Sequence, residues 1–161
     1  MFAPRTPPIF DGHNDLLSVL YQSSTYPDIS QFALGMEGHL DLDKARKGGF
    51  AGGFFAIWVP SPIDIVAKNS EMNQPFYDLS LPPEIEIGEA VVVALAQAAL
   101  LHRLEKDGLV KICKSIADIN SCIASNRIAA IMHMEGAEAI DRDFLNLDMF
   151  RGIGLRSLGP V

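Results

Sequence analysis

Apolar positions along this chain come in two rhythms, and the rhythms alternate. Dense runs of aromatic, β-branched and small residues, such as "FFAIWVP" at 54–60 and "RIAAIMHMEG" over 128–135, read as buried strands. "PIFDGHND" gives a shorter strand at 9–15, and "GIGLRSLGPV" a further one at 153–161. "LVKIC" at 109–113 is a minor strand candidate that the pattern leaves optional.

Helical segments lie between these runs. "LLSVLYQSS" predicts a brief helix, and "TYPDISQFALGMEGH" is irregular. "DLDKARKGG" predicts a helix with Asp41 as N-cap and Gly48 and Gly49 as the stop. A long helix is expected from Pro83 to Asp107, with prolines and acids at its start and "KDG" at its close. "SIADINSCIAS" predicts a helix capped by Ser115 with Asp118 at the third position, and "RDFLNLDMF" another short one. The polar, proline-rich stretch 69–83 is too long for a simple connector and reads as a lid, a contact surface or a mobile segment.

Strands alternating with helices define an α/β protein with a parallel sheet. Four substantial strands amount to half of a TIM-type (β/α)8 barrel, so residues 1–161 are expected to form the N-terminal half of one barrel domain. In such barrels the chemistry sits at the C-terminal ends of the strands. That rule draws attention to His13 and Asp15 after the first strand and to Glu135 at the end of "AAIMHME".

Composition narrows the functional classes. With 13 basic and 20 acidic residues the net charge is -7, and no basic stripe interrupts it, so nucleic acid is not an expected partner. The longest apolar run, "AVVVALAQAALL", has about 12 residues where a membrane-spanning helix needs about 20. No membrane segment is therefore expected. Cys113 and Cys122 match no zinc-knuckle spacing and sit among apolar residues, as reduced core thiols of a cytoplasmic protein do.

His13 and Asp15 stand two apart, so on a persisting strand they project to the same side while Asn14 faces away. A neutral imidazole nitrogen and a carboxylate oxygen both suit zinc. The bland alternative is that Asp15 caps the next helix and His13 bonds locally. Glu135 shares parity with Ile131 and His133, and a carboxylate at the inner end of a buried strand calls for a partner or a cation. Its alternative is to cap a helix beginning near 137, with Glu138 in support.

The blocks "FDGHNDLL", "DLDKARKGGFAGGFFAIWVP", "IAAIMHMEGAEAI" and "GIGLRSLGPV", in this order, resemble the membrane dipeptidase (renal dipeptidase) family of zinc metallopeptidases, in its bacterial branch. The resemblance implies a (β/α)8 barrel and two Zn2+ ions per complete site. It matches His13 and Asp15 to ligands of the first zinc, and Glu135 to the catalytic carboxylate bridging both. It also implies hydrolysis of dipeptide substrates by a metal-bridging hydroxide. Family members are roughly twice this length, and the remainder carries the histidines and the aspartate that finish the site. The fragment alone is expected to be inactive, and the complete protein to be a homo-oligomer, most simply a dimer. Two rival readings stay open: another amide or ester hydrolase on the same barrel, and a non-catalytic half-barrel that binds partners through its open edge.

Other residues draw weaker expectations. His133, below Glu135 on the same face, is a satisfied core histidine or a group that orients Glu135. His102 is expected on the solvent face of the long helix, and His39 in an exposed loop. Lys44, Arg46 and Lys47 read as a solvated face. "GGFAGG" at 48–53 lacks the lysine of a phosphate loop and precedes its strand.

Overall fold

The structure, a computed structural model, describes residues 7–23, 27–63 and 70–160. The proline-rich start, the last residue of "LLSVLYQSS", the beginnings of the irregular segment and of the 69–83 stretch, and Val161 lie outside them.

Five strands form one parallel sheet: β1 (Ile9–Asn14), β2 (Phe50–Trp58), β3 (Lys111–Ile112), β4 (Ala129–Glu135) and β5 (Leu155–Gly159). The spatial order is β1-β2-β4, and β4 shares its far edge between two partners. β3 lies along Ala129 and Ala130, while β5 lies along Met132 to Glu135. The optional strand is thus real, but short, and it occupies only the base of the sheet. β2 and β4 run in unbroken register from Gly52↔Ala129 to Trp58↔Glu135, so the two strands end side by side.

Among the described residues, the helices between these strands are α1 (Leu16–Gln22), α2 (Ser30–Leu34), α3 (Leu42–Gly48), α4 (Ile87–Lys106), α5 (Ile116–Ala124) and α6 (Leu145–Ile153). α1 to α3 cross from β1 to β2, α4 and α5 flank β3 on the way to β4, and α6 leads into β5. Phe55 and Ile57 of β2 and Ala130, Met132 and Met134 of β4 pack into one core with Leu17, Leu20, Ala94, Leu101 and Leu104 from the helices. The alternate residues Phe54, Trp58, Ile131, His133 and Glu135 are only partly buried and line the opposite, inner face. This is the two-faced pattern of barrel strands, with helices outside and chemistry inside.

Three sequence expectations are corrected in detail. β2 begins at Phe50, four residues earlier than expected, because Gly52 and Gly53 are strand residues and not a break. A Cβ at Gly52 would run into the Ala129 carbonyl, and one at Gly53 would lie 2.8 Å from the Asp11 Cβ, so glycine permits close strand approach at both positions. The irregular segment contains α2, five residues long, which buries Phe32 completely. α4 starts at Ile87, four residues after Pro83, with Glu86 in extended conformation at its N-cap.

The predicted caps form. Asp41 is buried and accepts from Lys44 N at 2.8 Å, and its carboxyl is held down at about 2, first by its hydrogen bonds from Lys44. Ser115 Oγ accepts from Asp118 N and donates to Asp118 Oδ2. α4 is long and apolar enough to cross a membrane by length and composition. Here it lies against the sheet, burying Ala90, Ala94, Gln97, Ala98, Leu100, Leu101 and Leu104. The fully buried Gln97 makes a specific bond pair: its Oε1 accepts from Trp58 N at 3.0 Å and its Nε2 donates to Trp58 O at 2.6 Å. β1 has ended at Asn14, level with Phe55, so Gln97 satisfies backbone groups of β2 just beyond the end of β1.

Candidate metal centre

β1 ends at Asn14, and the turn into α1 is tied from inside. Asn14 Nδ2 donates to Phe54 O at 3.1 Å and to Asp11 Oδ2 at 3.3 Å, while its Oδ1 accepts from Leu16 N. Asp11 Oδ1 in turn accepts from His13 N. Asn14 therefore does the local work that the bland reading gave to Asp15. Asp15 occupies the N-cap position of α1 without making a side-chain capping bond, which leaves its carboxylate free to face His13. The Asn14 and Asp11 roles were missed in the sequence, where only their polarity beside an apolar run hinted at them.

Glu135 closes β4. Gly136 follows with φ +92°, and its N–H donates to Gly159 O at 2.8 Å, turning the chain sharply away. No helix starts near 137; the next is α6, at Leu145. Capping is thus excluded for Glu135 as well.

The three side chains named from the sequence converge. His13 Nε2 lies 3.2 Å from Asp15 Oδ1 and 3.3 Å from Glu135 Oε2. One ligand atom from each residue lies within 4.8 Å of the other two. A single imidazole nitrogen carries at most one hydrogen, yet two carboxylates face it, so one hydrogen bond cannot serve both. A cation among the three relieves that arrangement. Two donors held at about 2.0–2.2 Å on a tetrahedral zinc stand roughly 3.3–3.6 Å apart, close to the 3.2 and 3.3 Å that separate His13 Nε2 from the two carboxylates. The donor set, one nitrogen and two carboxylate oxygens, fits zinc chemistry. The side chains remain 41%, 60% and 33% exposed, so water, substrate or further ligands can reach the same point.

His133 lies one strand layer deeper, neither core-buried nor bonded to Glu135. Its Nδ1 is 2.9 Å from Ser157 Oγ, and its ring meets His13 edge to face at a centroid distance of 5.7 Å. Burial, and then the neighbouring His13, hold its pKa below the ordinary imidazole value. His39 is exposed and lines a cavity of about 540 Å³ beside His13, Asp15 and Met36. His102 is corrected: its Nε2 donates to Ile153 O at 2.8 Å, tying α4 to the end of α6. Lys44 and Lys47 pair with Asp41 and Asp43 on α3, at 2.8 and 2.6 Å.

The family model described as membrane dipeptidase (peptidase family M19) matches residues 4–161. The chain belongs to that family. A crystal structure of "dipeptidase AC", a metallo peptidase of family M19, is 44% identical, with a TM-score of 0.82 over 96% of this chain and 44% of that one. A metallo peptidase from Rhodobacter sphaeroides, liganded with a phosphinate mimic of the dipeptide L-Ala-D-Ala, also gives 44% identity and a TM-score of 0.82, over 96% and 45% of the two chains. An uncharacterized protein from Acinetobacter calcoaceticus is 39% identical over 98% of this chain and 50% of its own length. Dipeptidase ataJ of Aspergillus terreus is 25% identical over 92% of this chain and 34% of its own. The chain thus spans about half the length, or less, of these relatives, and it carries about half of a TIM-type barrel.

Proposed function

We propose that the complete M19 protein is a zinc-dependent dipeptidase, and that residues 1–161 form the N-terminal half of its barrel domain. His13, Asp15 and Glu135 are the metal-holding residues that this half contributes. The observation that carries the reading is the convergence of one imidazole and two carboxylates at the C-terminal ends of β1 and β4, the strands on either side of β2. Membership in the M19 family supports it, as do two structural neighbours that are metallo peptidases.

Each residue has a definable task. His13 offers a neutral nitrogen, and Asp15 an oxygen released from capping duty. Glu135 turns Oε2 toward His13 and keeps a second oxygen, which would be available to a further cation in a two-metal site. Zinc bound here supplies a Lewis acid and brings the pKa of water down to about 7. No serine or cysteine nucleophile is then required, in keeping with the burial of Cys113 and Cys122. The substrate class is a dipeptide, with a D-residue accepted at its C-terminal position; the phosphinate mimic of L-Ala-D-Ala bound by the Rhodobacter sphaeroides neighbour supports that choice.

The test is hydrolysis of L-Ala-D-Ala and L-Ala-L-Ala by the full-length protein, before and after exhaustive chelation, with metal content measured alongside. Activity that disappears with the zinc and returns on adding it is the expected result. Turnover that persists in metal-free protein contradicts the proposal.

A further inference from the structure

His13 needs support that its own strand does not provide. β1 is largely exposed, and beyond β2 it has no other strand partner among the described residues. The bond from His13 N to Asp11 Oδ1 fixes the backbone, but it leaves the ring free about its second torsion. That torsion is broad and roughly two-fold for histidine, so ring direction must be set by what packs against it. Asp15 and Glu135 face Nε2, where a cation would also sit. The remaining aromatic contact is His133, edge to face at 5.7 Å with an interplanar angle of 78°.

The surroundings of His133 are built to hold a ring. Its cross-strand partners are Ala56 on β2 and Ser157 on β5, both small. Ser157 Oγ lies 2.9 Å from Nδ1, a Cβ at Gly159 would stand 3.6 Å from Cε1, and Phe54 packs edge to face at 5.9 Å. A hydrogen bond on one side and aromatic contacts on the others fix both the tilt and the rotation of the imidazole.

We propose that His133 is a positioning residue: locked by Ser157, it braces the His13 ring so that Nε2 points at the place shared with Asp15 and Glu135. The inference rests on the metal reading above and extends it to two residues outside the ligand set. Its effect is preorganisation, because a ligand ring already aimed at the ion loses less freedom on binding. Groups that orient a ligand typically change metal affinity about 10–100-fold when removed.

The experiment measures zinc affinity in the full-length protein by competition with a chromophoric chelator. The cobalt-substituted absorption spectrum reports ligand geometry, and the melting point of the metal-free form reports folding. His133→Leu is expected to weaken zinc binding about 10–100-fold and to alter the cobalt bands. His133→Phe keeps an aromatic edge against His13 and is expected to recover most of the loss. Ser157→Ala unlocks His133 and gives an intermediate loss, in each case with little change in the metal-free melting point. Wild-type affinity and spectrum in both His133→Leu and Ser157→Ala overturn the proposal, as does a loss that merely follows a lower melting point. If His133→Leu does not fold, Ser157→Ala decides: an intermediate loss with altered cobalt bands supports the proposal, and wild-type affinity and spectrum overturn it. Wild-type protein that holds no zinc overturns the metal reading itself, a result distinct from variants that bind as tightly as wild type.

Discussion

At the scale of single residues, the candidate centre depends on three side chains of unequal replaceability. His13→Ala removes the nitrogen shared between two carboxylates, and Glu135→Gln keeps the shape while removing the charge. Both substitutions, in the full-length protein, are expected to reduce dipeptidase activity by orders of magnitude, with zinc content falling in parallel and the melting point little changed. Near-normal turnover in either would remove that residue from the site. A second residue-scale expectation concerns Cys113, whose thiol is pushed from 9.0 up to about 12 by burial first and then by Cys122, 3.7 Å away. The folded state therefore keeps this proton where the unfolded chain releases it, so stability falls as pH rises from about 9 toward 12. Below that window the thiol contributes no pH dependence. Denaturant melts across alkaline pH should show the slope, and Cys113→Ala should flatten it. An unchanged slope in the variant assigns it to other groups.

The helices and strands set where those residues stand. β2 and β4 end together because their register is unbroken from Gly52↔Ala129 to Trp58↔Glu135. Gln97 holds the end of β2 by both backbone groups of Trp58, the residue level with Glu135. Gln97→Leu takes this partner from the part-buried N–H and C=O of Trp58; each unpaired group costs up to about 1–3 kcal/mol, and unfolding free energy should fall accordingly in denaturant titrations. A change within about 0.5 kcal/mol would show that the bond pair contributes little. The same elements show what a sequence reading reaches. The strand-end rule drew attention to His13 and Glu135; the two-residue strand spacing did not carry Asp15, because β1 ends at Asn14 and Asp15 stands at the N-cap of α1, where the turn brings it to His13. Gly52 and Gly53 misled, since glycine signals a break locally and close strand approach only when the neighbouring strand is known. Gln97 in an apolar helix and His102 beside it found partners 39 and 51 residues away, a pairing that no local pattern encodes. α2 escaped because five residues are too few for a helical period to register.

For the molecule as a whole, the sheet and its helices enclose a main core and a smaller cluster of Cys113, Cys122 and Ala129, while the inner face that carries Glu135 and His133 stays only partly covered. Ile9 and Phe10 are exposed on β1, at the opposite edge from β5. Because the chain spans about half the length of its relatives, the 161-residue piece expressed alone should bind at most one zinc per chain, weakly, and hydrolyse no dipeptide. Equilibrium dialysis and a dipeptide assay on that piece check this; dipeptidase activity there would place the whole machinery in this half. The account as a whole stands on His13, Asp15 and Glu135 meeting at one divalent cation. Anomalous X-ray scattering at the zinc absorption edge, on crystals of the full-length protein, tests this most directly. The account predicts zinc within about 2.0–2.2 Å of His13 Nε2 and of an oxygen from each of Asp15 and Glu135. Zinc bound elsewhere, with these side chains turned away from one another, would contradict it.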